Sequence, residues 1–137
     1  MAVTQRLVDA ATELLLTRFD GQGGIAAALA CEDGSILTGV NFQPEYGGTG
    51  LCAEAGPVCE ANKLDKRVVA SVCVARESGD APIVILTPCG VCQERLMHWG
   101  KRVEVAVPDP DDPMRWQSKL LAEVQPFYWA KVYGYGN

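Results

Sequence analysis

The sequence has no basic stripe: twelve Lys and Arg stand against seventeen Asp and Glu, for a net charge of −5. A protein that holds a long polyanion needs clustered cations and counterion release. Duplex DNA and long RNA are therefore poor partners, and polynucleotide editing is disfavoured. No apolar run approaches the ~20 residues of a membrane helix; the longest, Ile25 to Cys31, is strand-sized. No small-residue cleavage site follows Leu14-Leu15-Leu16, so no signal peptide is expected. Internal repeats and low-complexity linkers are also missing. The expected location is the cytoplasm. The expected organisation is one domain over residues 1–137, within the ~100–200 residues of a typical domain. Apolar residues at 48% and charged residues at 21% exclude a disordered or fibrous chain.

What is present reads as alternating elements. Val3, Leu7, Ala10, Ala11, Leu14 and Leu15 recur at helical spacing and predict an amphipathic helix ending near Asp20-Gly21. Ile25 to Cys31 and Ile36 to Phe42 flank Glu32-Asp33-Gly34-Ser35, whose Asp-Gly pair is a hairpin signal, so these strands should pair antiparallel. A Gly-rich loop over Pro44 to Gly50 leads to a helix over Cys52 to Leu64. Val68 to Val74, Ile83 to Leu86 and Val103 to Val107 read as strands, and Gly90 to Trp99 as a helix. Pro108 to Pro113 reads as a rigid acidic turn, Trp116 to Val124 as a final helix, and Phe127 to Tyr135 as an aromatic tail. The alternation predicts a three-layer α/β/α sandwich around a mixed sheet of about five strands.

Six cysteines in a chain expected to stay reduced point to metal binding or chemistry rather than disulfides. Cys52-Ala53-Glu54 opens one predicted helix, and Pro88-Cys89-Gly90-Val91-Cys92 opens another. Cys89 and Cys92 share one face of a first helical turn, so both sulfurs can reach one ion. Cys52 supplies a third ligand. The only histidine, His98, falls on a different face from Cys92, and Cys59 lies ~10 Å from Cys52 by helical rise, so neither is a fourth. Three protein ligands and an open position make a catalytic zinc; a closed structural site uses four. Glu54 can hang over water at the open position and move protons. Other readings are buried cysteines, a structural zinc, or a Cys-x-x-Cys redox pair. The redox pair leaves Cys52 and Glu54 without a role. Cys31, Cys59 and Cys73 fall in apolar patterns and read as core. His98 and Trp99 read as structural.

Cys-Ala-Glu followed by Pro-Cys-Gly-x-Cys resembles the zinc-dependent cytidine deaminase family. The resemblance runs from the first helix to Val107, and the C-terminal region is similar to the blasticidin-S deaminase branch. It implies zinc on Cys52, Cys89 and Cys92. It implies that Glu54 shuttles protons between water, ring nitrogen N3 and the departing amine. The N–H of Ala53 would hold the pyrimidine O2, and the carbonyl of Thr87 would accept from the amino group or the leaving ammonia. Asn41, with Phe42, would contact sugar and base. The implied reaction turns the cytosine of a free nucleoside into uracil with loss of ammonia, in pyrimidine salvage. The alternative of a blasticidin-S type would detoxify an aminonucleoside antibiotic. A homotetramer in which neighbours complete each site is implied as well. A zinc-stabilised binding or assembly module is the non-enzyme alternative.

Two features depart from that family pattern. Free-nucleoside members usually place Glu two residues after the Asn, for a ribose hydroxyl. Here Gln43 can still bond the sugar but lacks charge-assisted strength. Three-cysteine members often carry Arg just after the Glu or between the clustered cysteines, where this chain has Ala55 and Val91. Three thiolates and a hydroxide against Zn²⁺ sum to about −2, and two helix N-termini offer roughly +0.5 each. Arg95, one turn after Cys92, is the candidate for the rest. Phe127, Tyr128 and Trp129 either stack on a base, cover a site mouth, or pack.

Overall fold

The computed structural model describes Ala2 to Tyr135. Helix α1 (Gln5–Arg18) is started by Thr4, whose hydroxyl accepts from the N–H of Leu7. Strands β1 (Gly24–Cys31) and β2 (Ile36–Val40) form the expected antiparallel hairpin. Helix α2 (Ala55–Lys63) leads to β3 (Val68–Arg76), which lies antiparallel to β1. Strand β4 (Val84–Leu86) folds back on β3 and feeds helix α3 (Gly90–Leu96), prolonged by a tight 3-10 turn over Met97–Trp99. Strand β5 (Glu104–Asp109) runs parallel to β3, and β6 (Asp112–Leu120) antiparallel to β5. Helix α4 (Leu121–Val124) and a 3-10 turn over Trp129–Tyr133 close the chain. The sheet is mixed, in the order β2-β1-β3-β5-β6 with β4 also on β3, so it has six strands rather than about five.

Side-chain alternation on the strands divides the interior in two. Ala26 and Ala28 of β1, with Ala70, Val72 and Val74 of β3, meet the buried stripe Leu7, Val8, Ala11 and Leu15 of α1. On the opposite face, Leu29 and Cys31 of β1 pack with Ala61 of α2, Leu96 of α3 and Leu121 of α4. Helices therefore cover both faces, the three-layer sandwich read from the sequence. Among the described residues no helix is long and apolar enough to cross a membrane.

The C-terminal third departs from expectation. The helix expected over Trp116 to Val124 is strand as far as Leu120, and only its last turn is helical. The expected acidic turn over Pro108 to Pro113 is the tight end of a hairpin, with Asp109 opposite Asp112. Strand β6 reads DPMRWQSKL, without a Val, Ile or Thr, so its own propensity does not announce a strand. Pairing along β5 decides its state. Pro113 is tolerated because β6 is an edge strand.

One glycine of β2 sets the approach of α2. A Cβ at Gly39 would stand 2.5 Å from Pro57 Cδ and 2.7 Å from the Ala53 carbonyl oxygen. The first turn of α2 and the residues just before it therefore rest on bare backbone. Gly39→Ala forces that segment outward, at an overpacking cost of roughly 1–3 kcal/mol. The expected outcome is a lower melting temperature together with weaker metal retention, read by thermal melts with and without a chelator.

Candidate active site

Two junctions leading into helices meet on the face of the sheet opposite α1. The first starts where Phe42 and Leu51 pair across the Gly-rich loop. The Phe42 N–H reaches the Leu51 carbonyl at 3.0 Å, and the Leu51 N–H returns to Phe42 at 2.8 Å. This bridge ties off residues 43–50 and delivers Cys52. Helix α2 begins at Ala55 rather than at Cys52, because the chain makes a tight turn first, closed by the Ala55 N–H on the Cys52 carbonyl at 3.0 Å. Glu54 caps the helix with its own backbone already helical. At the second junction β4 ends at Leu86, and Cys89 caps α3 in extended geometry, which leaves Cys92 on the first turn as its spacing predicts.

The sulfurs of Cys52, Cys89 and Cys92 lie within 4.8 Å of one another, Cys52 and Cys89 at 3.3 Å. Sulfurs around a tetrahedral zinc with ~2.3 Å bonds stand about 3.8 Å apart. The donor set and its size fit such an ion. Cys92 is buried, Cys52 half-buried and Cys89 exposed, so the cluster opens to solvent on the Cys89 side. Burial opposes ionisation of Cys89, but the backbone N–H groups of Cys92 and Val91 and the thiols of Cys52 and Cys92 outweigh it, and this thiol lies below its ordinary range. The hydrogen bond shared with Cys89 raises Cys52, with burial adding to it. Burial first, and then the Glu54 charge, pushes the Cys92 thiol up. A bound divalent cation reverses this preference, because ligating thiols lose their protons.

Glu54 is only 3% exposed, and its Oε2 accepts from the Cys92 thiol at 3.1 Å. Arg95 Nη1 stands 3.9 Å from Cys92 Sγ, which puts the cation named from the sequence at the thiol cluster. A cavity of about 140 Å³ runs between the two junctions, with Cys52, Ala53, Glu54, Thr87 and Cys89 in its wall beside Ile25, Cys73 and Leu86. A wider recess of about 390 Å³ adjoins it through Ile25 and Cys52 and is lined by Asn41, Gln43, Gly48, Gly50 and Leu51. Asn41 pairs with Ile25 twice: its Oδ1 accepts from the Ile25 N–H at 3.2 Å, and its own N–H donates to the Ile25 carbonyl at 3.1 Å. Its side-chain NH₂ has no partner among the described residues and remains a donor for the recess.

Some of the residues singled out from the sequence stand elsewhere. Phe42 is exposed and lines neither cavity. Tyr128 and Trp129 donate to Glu94 of α3, at 3.2 Å and 3.0 Å, and border a cleft of about 590 Å³ with Arg95 and His98. Neither they nor Phe127 line the thiol cavity. Cys73, read from the sequence as core, is buried but stands in the cavity wall with Glu54. A signal for it existed. On β3 the face opposite α1 carries Ser71 and Cys73, where the α1 face carries Ala70, Val72 and Val74.

The fold and this cluster together define an α/β protein with a three-thiol, one-carboxylate site able to hold a metal. No family model matches the chain. A solved cytidine deaminase from Bacillus anthracis is 38% identical and superposes with a TM-score of 0.86, over 95% of this chain and 91% of that one. A cytidine deaminase from Mycobacterium tuberculosis is 33% identical over 92 residues, 66% of this chain and 65% of that protein, so the match spans just under two thirds of that relative. A blasticidin-S deaminase from Bacillus cereus is 27% identical over 98 residues, 68% of this chain and 70% of that protein. The chain belongs to the cytidine deaminase family.

Proposed function

We propose that this protein is a zinc-dependent hydrolase that deaminates the cytosine base of a free nucleoside: cytidine, deoxycytidine or a close analogue. The observation that carries the reading is the buried Glu54 carboxylate, 3.1 Å from one of three clustered thiols and in the wall of the cavity they share. Cys52, Cys89 and Cys92 would hold the zinc, which when bound would supply Lewis acidity to activate water near neutral pH. Glu54 takes a proton from the attacking water and delivers it to ring N3 as oxygen adds to C4. It then carries the hydroxyl proton to the amino group, the C4–N bond breaks, and ammonia leaves. The Ala53 N–H holds the pyrimidine O2, and the Thr87 carbonyl accepts from the amino group. Asn41 donates its side-chain NH₂ to a sugar hydroxyl, Gln43 stands beside it in the recess, and Phe42 flanks that recess at the loop bridge. The expected setting is cytoplasmic pyrimidine salvage.

Purified protein should release ammonia from cytidine or deoxycytidine, with matching loss of the cytosine absorbance band. No product from any cytosine compound would leave a zinc-stabilised binding module as the better reading. A blasticidin-S-type activity is the second reading, supported by the match to such a deaminase and by an uncharged recess that holds Gln43. The ratio of kcat/KM for cytidine and blasticidin S separates the two. A homotetramer belongs to the proposal, supported by Phe127, Val132 and Tyr133, which are 91%, 82% and 72% exposed. Sedimentation checks it.

Arg95 offsets part of the thiolate charge in this reading. Arg95→Ala is expected to raise the zinc dissociation constant roughly tenfold, the scale of an outer-shell contact. Chelator competition measures it, and an unchanged constant removes Arg95 from the metal site.

A further inference from the structure

In the reading above, the thiol cavity takes the cytosine ring and the Asn41 recess takes its sugar. A third hollow opens on the same site. It measures about 500 Å³ and shares two wall residues, Ile25 and Leu86, with the thiol cavity. The strand register explains why they adjoin. Ala27, Cys73 and Leu86 stand side by side on β1, β3 and β4. Ile25, Ala75 and Val84 form the row two residues further along, on the same face of the sheet and about 6.6 Å away. Cys73 and Leu86 of the first row wall the thiol cavity, and all three residues of the second row line the hollow.

The hollow belongs to neither interior of the sandwich, since Ile25, Ala75 and Val84 are in neither packed cluster. Ala61 of α2 and Leu96 of α3 pack with Leu29, Cys31 and Val68, at the opposite end of these strands. Ala81 and Pro82 add to the wall from the loop between β3 and β4. Arg76, the one cation in the wall, is tied elsewhere: its Nε donates to the Gln22 carbonyl at 2.8 Å and its Nη2 to the Phe19 carbonyl at 2.9 Å. Glu77 is exposed to solvent. The rest of the wall is hydrocarbon, so a chain of carbon atoms is what it can hold.

We propose that this hollow is a subsite for an apolar chain on C5 of the cytosine ring, which makes C5-alkylated cytosine nucleosides the favoured substrate class. The proposal rests on the reading of the protein as a nucleoside deaminase. In that reading Ala53 holds O2 and Glu54 serves N3, so the opposite ring edge, C5–C6, faces away from the start of α2. Thr87 receives the amino group on C4, and Leu86, its neighbour in the chain, stands where C5 comes next. The wall shared at Leu86 and Ile25 leads a C5 substituent out of the thiol cavity and into the hollow.

The test offers zinc-loaded protein 5-methyl-, 5-ethyl-, 5-propyl- and 5-butylcytidine. These substituents change the ring's electronics alike and differ in apolar length. Each added methylene buried in the hollow is expected to lower KM about fourfold, with kcat unchanged. Ala81→Trp fills the hollow from the loop and Ala75→Leu from the sheet. Either variant, once thermal melts show it folded, should flatten the series and turn over unsubstituted cytidine as the parent does. The second readout needs no turnover: in calorimetric titrations, the Kd of the matching 5-alkyluridines should fall by the same factor per methylene. Turnover of cytidine with a flat or reversed series would overturn the subsite and leave the deaminase reading standing. A flat series, with a parent oligomer that dissociates in Ala81→Trp, would also overturn it and assign the hollow to a neighbouring copy of the chain. No turnover of cytidine would sink the deaminase reading, and the alkyluridine titrations would still decide whether the hollow takes an alkyl chain.

Discussion

Glu54→Ala is expected to abolish turnover, by about a thousandfold or more, while each chain keeps its zinc. A positioned general acid–base contributes typically ~10²–10⁴ to a rate, and in the proposed reaction one carboxylate would carry every proton. Its burial, with 3% exposure, leaves little room for water to take over the work. The metal should stay, because Glu54 is not among the clustered sulfurs and its charge opposes the thiolate form of Cys92. Removing it relieves that repulsion. Metal analysis and ammonia release on the same preparation check both halves. Retained zinc with surviving turnover would remove Glu54 from the chemistry.

Cys92→Ser should have the next largest effect, with zinc binding weakened by more than ~100-fold, beyond the range of outer-shell changes. Cys92 is the fully buried member of the cluster, held on the first turn of α3. A serine there offers a hard, neutral oxygen in place of a soft thiolate. The hydroxyl also stays trapped where no water reaches it. Cys89→Ser should cost less, since its exposed position allows a water to substitute. Zinc content after dialysis against a chelator ranks the two. Full occupancy in Cys92→Ser would mean that the ion sits elsewhere.

Why these residues meet was legible in the sequence, because the chemistry followed local rules. Cys89 and Cys92 are a turn apart on a helix start, and a Pro-Cys-Gly junction after an apolar strand places that start just beyond β4. The sandwich itself followed from alternating elements. What escaped was decided at a distance. Trp116 to Leu120 has only Trp116 to favour a strand and became one by lying along β5. Cys52 lies one turn ahead of α2, since Gly39 lets Ala53 and Pro57 settle onto β2 in a way no periodicity encodes. Cys73 looked like one more small apolar residue until β3 was given a face. The direction of the Asn41 amide depends on Ile25, a residue sixteen positions earlier and on another strand.

The two separate interiors on either side of the sheet have a bearing on how such a protein can change over generations. Beneath α1 the demand is only for volume and greasiness, so exchanges among Leu, Val, Ile and Met there should drift freely. On the other face, shifts of a few tenths of an ångström under α2 or α3 move sulfur and oxygen atoms. Diversity among descendants should therefore be lopsided, plentiful on one flank of the strands and sparse on the other.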